Sequence, residues 1–152
     1  MCALTAALLG AIACDPSNDR PSFGPLYGAT IDTIAADPAT VIEALAQVID
    51  SIGIPTRSQS ARDGYLDTRG YDVYNARPRG RDTYNPEHVV VFRFWADLIP
   101  GERSRVTGEA TYRQTLDPSL APRLADAVTT PRHPGHDLLL AILEAAKNRT
   151  GG

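Results

Sequence analysis

Cysteine is nearly absent from this chain. Cys2 and Cys14 are its two thiols and none follows in the rest of the 152 residues, so a disulfide framework for the folded part is excluded. An excess of positive charge is lacking too. Fifteen Lys and Arg face 18 Asp and Glu, for a net charge of −3, which argues against a broad electrostatic affinity for nucleic acid. No apolar run reaches the length needed to cross a hydrocarbon core of roughly 30 Å. No serine sits in a Gly-x-Ser-x-Gly turn, Gly64 and Gly70 stand alone rather than in a phosphate-cradling pattern, and no carboxylate pair is singled out. The expectation is a chain with no catalytic residues, no cofactor and no metal, hence not an enzyme.

What is present is ordinary for a globular protein: 43% apolar and 22% charged residues. The length suits one domain with a real core but not two comfortable ones. The 12 glycines and 12 prolines gather mainly in residues 16–28, 53–86 and 117–135, as expected of ordered elements joined by turn-rich loops. No repeat or low-complexity block is seen.

The N-terminal stretch carries the clearest signal. Met1 to Ala13 holds no charge, and an apolar run of about ten residues suits a signal-peptide core. Leu8-Leu9-Gly10-Ala11-Ile12-Ala13-Cys14-Asp15 resembles the bacterial lipobox, in which small residues precede a cysteine that receives a diacylglycerol thioether and an N-acyl chain. Ala13 fits that pattern well, and Ala11 is less usual than leucine. No Lys or Arg precedes the run, a departure from the positive start that such signals normally have. The resemblance implies a signal peptide over residues 1–13, a lipidated Cys14 with a flexible tether over 14–28, and a single domain over 29–150. It places the protein in the bacterial cell envelope, with the domain in the periplasm or on the cell surface. The partners implied are the lipid bilayer, through acylated Cys14, and a protein of the envelope.

Within the domain, residues 29–34 suit a first strand. Asp37-Pro38 then reads as a capped helix start. Val41, Ile42, Leu45, Val48, Ile49 and Ile52 form one helical stripe, which Gly53 and Pro55 end. Ile54–Ser60 and Gly64–Arg69 read as a hairpin around Asp63-Gly64. Residues 70–87 read as a long loop. Val90, Phe92, Phe94, Ala96 and Leu98 make one face of the strongest strand, with Arg93 and Asp97 on the other beside Val89, Val91 and Trp95. Pro100-Gly101-Glu102 turns the chain into a partner strand over 104–113. Residues 114–135 are irregular, with a short turn of helix around Leu120–Val128, and Leu139, Leu140, Ile142, Leu143 and Ala146 define a final helix. The expected fold is α+β: a two-layer sandwich with an antiparallel sheet of about four to five strands and two helices on one face.

Three places invite a functional reading. His133-Pro134-Gly135-His136-Asp137 brings two imidazoles and a carboxylate together, the start of a metal-dependent hydrolase site, but Pro-Gly between them reads more simply as a helix start. The loop carrying Tyr74, Arg77, Arg79, Arg81 and Tyr84 combines planar guanidinium forks with aromatic surface, suited to a glycan, an anionic head group or an acidic protein surface. Trp95 with Val89 and Val91 is either an exposed partner patch or covered core.

Ala39, Val41-Ile42, Ala44-Leu45, Val48-Ile49 and Gly53-Ile54-Pro55, followed by Asp63-Gly64-Tyr65-Leu66-Asp67-Thr68, resemble small envelope lipoproteins and the BamC-type helix-grip domains of the outer-membrane assembly machinery. That resemblance, over about residues 29–113, implies a non-enzymatic binding or scaffolding module. The alternatives are a soluble small-ligand or glycan-binding domain, using the Arg77–Arg81 loop or a cavity between helices and sheet, and the hydrolase at His133 and His136.

Overall fold

The computed structural model describes residues 20–114 and 119–151. Cys14, the leader and residues 14–19 of the expected tether lie outside the described residues.

The chain folds as α+β. Strand β1 (Thr30–Ile34) leads to helix α1 (Pro38–Ile52), then β2 (Thr56–Ser60) and β3 (Tyr65–Thr68). Two short strands, β4 (Tyr71–Asp72) and β5 (Arg77–Pro78), precede the long pair β6 (Val89–Ile99) and β7 (Arg103–Arg113). A one-turn helix α2 (Pro122–Ala125), a short β8 (Asp126–Val128) and helix α3 (Pro134–Arg149) finish the fold. All the pairings are antiparallel, and the main path runs β1-β7-β6-β3-β2, with β4, β5 and β8 attached to it.

The α+β class and the helical layer match expectation. The strand count does not: the described residues hold eight strands, five of them on the main path. The additions fall in the two stretches expected to be loops. Two- and three-residue strands have no periodicity to detect, and neighbouring backbone alone recruits them.

Each packing helix is built as its sequence demands. The Asp37 carboxylate accepts from the Ala39 and Thr40 amides and the Thr40 hydroxyl, and these bonds hold its pKa below the ordinary carboxylate value. Gly53 closes α1 in the left-handed region (φ 82°), its amide bonding back to the last turn. Between, Val41, Ile42, Leu45 and Ile49 are fully buried, each stabilising the fold by about 1.5–3 kcal/mol. They meet Val90, Phe92, Phe94 and Ala96 of β6, Val106 and Ala110 of β7, and Leu139, Ile142 and Leu143 of α3. Gly108 permits that close approach, since a Cβ there would lie 3.0 Å from Leu139 and 3.3 Å from Phe94. The space between helices and sheet is thus packed with side chains.

Strand alternation sends the other half of β6 and β7 to the opposite face. That outer face is covered in part by residues 20–28. Arg20 pairs with Asp97 at 2.8 Å, the Leu26 amide donates to Glu109 at 2.9 Å, and Arg123 reaches the Gly24 carbonyl at 2.7 Å.

Candidate functional site

The outer face is organised around charges that should not be buried without partners. Register sets Asp67 of β3 beside Arg93 of β6, and Arg93 beside Glu109 of β7. Arg93 Nη1 donates to Glu109 at 3.0 Å and to the Thr111 hydroxyl at 3.2 Å. Asp67 and Asp126 carboxylate oxygens lie 3.4 and 3.6 Å from the same guanidinium. Glu109, fully buried, also accepts from both terminal nitrogens of Arg123. The Phe23 ring lies 4.6 Å from the Arg123 guanidinium, a cation–π contact.

Burial pushes the Asp67 carboxyl above its ordinary pKa, against the pull of Arg93 and Arg57. The same burial and the Asp67 charge push the Tyr65 hydroxyl up to about 12. Burial works against the Arg93 charge as well, but Asp67, Glu109 and Asp126 outweigh it and raise its pKa. Asp67 Oδ1 and Arg93 Nε approach at 3.4 Å without the alignment of a hydrogen bond.

Two clefts open on this face and share Arg57, Arg93 and Asp126. The smaller, of about 300 Å³, lies under Pro21 and Phe23. The larger, of about 440 Å³, lies between the 79–86 loop and the β6–β7 surface. Arg57, Arg79, Arg93 and Arg113 converge on it, with Asp126 as the acid of its lining and Val89 and Val91 among its apolar side chains. Arg57 is already 3.6 Å from Asp67. Arg79 and Arg113 carry no side-chain hydrogen bond or ion pair among the described residues.

The loop that supplies Arg79 is held in place from several directions. Buried Asp72 accepts from the Tyr74 and Asn75 amides, the Asn75 side chain and the Thr83 hydroxyl. Burial opposes its ionisation, yet those hydrogen bonds leave its pKa below the ordinary value. Arg77 pairs with Asp82 at 2.6 Å, and the Arg79 amide bonds to the Gly70 carbonyl at 3.0 Å. A Cβ on Gly70 would sit 2.6 Å from Val89 and 3.5 Å from the Arg79 side chain, so glycine lets the loop close onto the strand.

The residues expected to bind therefore divide. Arg79 and Tyr84 line the larger cleft. Arg77 is engaged by Asp82, and Arg81 is exposed outside the cleft lining. Tyr74 stacks on His88 at 4.1 Å and meets the His133 ring edge-on. Trp95, only 2% exposed and packed against Tyr65, is interior and offers no partner patch. His133 caps α3, its Nδ1 accepting from the Gly135 amide while Nε2 meets the Glu87 carbonyl. Arg57, Arg113, Thr111 and Asp126 also line the larger cleft, and no local sequence pattern marks them. Arg93 and Glu109 could have been paired by counting outward from the Pro100–Glu102 turn, which sets them opposite each other.

Fold and site together define an α+β domain with helices on one sheet face and an arginine-lined cleft on the other. No protein-family model matches the chain, and no curated protein matches it. Among solved structures it is similar to the Zhui aromatase/cyclase from Streptomyces sp. R1128, at 17% identity and a TM-score of 0.37. The match covers 81% of this chain and 92% of that one. A likeness so slight carries no residue role or activity across. One expectation is corrected: missing motifs do not exclude catalysis, so the chain is no longer read as a non-enzyme, and the similar structure is itself named as an enzyme.

Proposed function

We propose that this chain is a bacterial envelope lipoprotein, held to the bilayer by acylated Cys14, whose α+β domain is a binding module with the outer sheet face as its binding face. The observation that carries the binding half of the reading is the larger cleft, where four arginines meet one carboxylate, Asp126, and Arg79 and Arg113 are left without partners among the described residues. Its volume of about 440 Å³ falls within the roughly 300–1,000 Å³ usual for small-molecule sites. The packed interior favours this face over a cavity between helices and sheet.

Two measurements test the two halves. Mass spectrometry of the protein from a bacterial host should find an acylated N-terminal Cys14 peptide, and Cys14→Ala should move the protein to the soluble fraction. An unmodified Cys14 in membrane-free protein removes the anchor. For the face, titration with inorganic phosphate should shift amide resonances at residues 79–93 and 111–113 before those of α1. Shifts confined to α1 and α3 would move the binding face to the helical layer.

A further inference from the structure

The cleft's chemistry narrows what it takes, and the narrowing rests on the outer face being the binding face. We infer that its ligand is a small amphipathic acid: a single carboxylate or phosphate head held by Arg79 and Arg113, with an apolar body laid over Val89 and Val91.

The head follows from a charge count made residue by residue. Asp67, Glu109 and Asp126 together answer Arg57, Arg93 and Arg123, three charges against three. That leaves Arg79 and Arg113, both exposed and unpaired among the described residues, bordering one cleft. A lone exposed arginine is ordinary surface. Two bordering one cleft, Arg79 from its loop side and Arg113 from its strand side, with the Asp126 carboxylate already turned to Arg93, make a place where an anion gains two planar forks.

The body follows from the rest of the lining. Val89 and Val91 occupy successive outward positions of β6, and Pro86 and the Tyr84 ring border the same space. Tyr84 is 86% exposed, so an aromatic face stands free beside it. No asparagine, glutamine or tryptophan lines the cleft, as hydroxyl-rich sugars would favour. A fully hydrated dianion would leave the valines uncovered, and a neutral lipid would leave the arginines unanswered. An acid with an apolar body satisfies both.

Rigidity supports the assignment. The Asp72 and Asp82 bonds fix the loop, and Gly70 seats the Arg79 stem against the strand. The backbone that carries Arg79 is therefore in place before the ligand arrives, which lowers the ordering cost of binding.

The test uses the purified full chain and three probes of matched design: acetate for the head, 1-octanol for the body and octanoate for both. Calorimetry with amide-shift mapping should show octanoate binding at least tenfold tighter than either half, with shifts at residues 79–93. Arg79→Gln with Arg113→Gln should weaken octanoate at least tenfold at an unchanged melting temperature, both side chains being exposed. Val91→Thr, which keeps size and strand preference, should erase most of the advantage over acetate. Equal affinities for acetate and octanoate overturn the amphipathic ligand while the face survives. Octanoate binding indifferent to the two arginines overturns it as well, marking adsorption only. If no probe shifts residues 79–93, the binding face itself is wrong. Anionic lipid vesicles against free octyl phosphate then separate a bilayer source from a soluble one, since either presents the same head and body.

Discussion

Glu109→Gln removes one charge and almost no volume, so it isolates what that carboxylate does. Glu109 is fully buried and accepts from Arg93, twice from Arg123 and once from the Leu26 amide. Both oxygens are used: Oε1 takes Arg93 and Arg123, while Oε2 takes Leu26 and Arg123. A glutamine must turn its NH2 toward one of those donor sets, whichever way it flips. Breaking a buried pair from one side costs about 3–5 kcal/mol. Arg93 keeps Asp67 and Asp126, and the Arg123 side chain, one-fifth exposed, can turn to water. The lower end, about 3 kcal/mol, is therefore expected. For a chain of this length that corresponds to a fall in Tm of roughly 6–12 °C. Urea melts followed by circular dichroism and by Trp95 fluorescence give the number. Repeating them at 0.5 M salt should leave the difference standing, because buried pairs are screened little. A loss under about 1 kcal/mol, or one that salt abolishes, would refute the buried hub.

Other outcomes follow from the same geometry. Gly64→Ala should cost at least about 2 kcal/mol by urea melt, since φ is +63° and its Cβ would lie 2.3 Å from the Ala96 carbonyl oxygen. Asp72→Asn should destabilise by roughly 1–2 kcal/mol at neutral pH through the lost loop bonds. Because the Asp72 pKa is lowered on folding, that contribution is complete above the ordinary value of 3.8 and is lost as pH falls below it. The gap between wild type and variant should accordingly close in acid; a gap that is flat with pH refutes the linkage. Arg123→Ala should free residues 20–28 from the sheet, so that chymotrypsin cuts after Phe23 several-fold faster, and it should lower the melting temperature too, because buried Glu109 loses two of its donors.

The elements legible in the sequence were those whose signal is local. The stripe from Val41 to Ile52, with Asp37 before it and Gly53 after it, specifies α1 because periodicity and both caps agree. The alternation of Val90, Phe92, Phe94 and Ala96 likewise assigned one face of β6 to the core. The site was legible only in fragments. Arg79 and Tyr84 were found because they sit in one loop. Arg57, Arg113 and Asp126 come from β2, β7 and β8, and no local pattern links strands so far apart in the chain. The sequence leaves Trp95 open because strand alternation tells which face a residue occupies, not whether something covers it. Here the outer face has its own cover, and part of it is the stretch 20–28, whose prolines and glycines suggest a spacer.

Arg20 is fastened to Asp97 near the hairpin end of β6, on the side away from the helices. Six steps of chain separate Cys14 from that fastening, and fully drawn out they reach at most about 20 Å. A fatty anchor at Cys14 would then be a short leash attached to one flank of the body. It would keep the hairpin end of β6 within that reach of the head-group layer, whichever face the domain turned toward it.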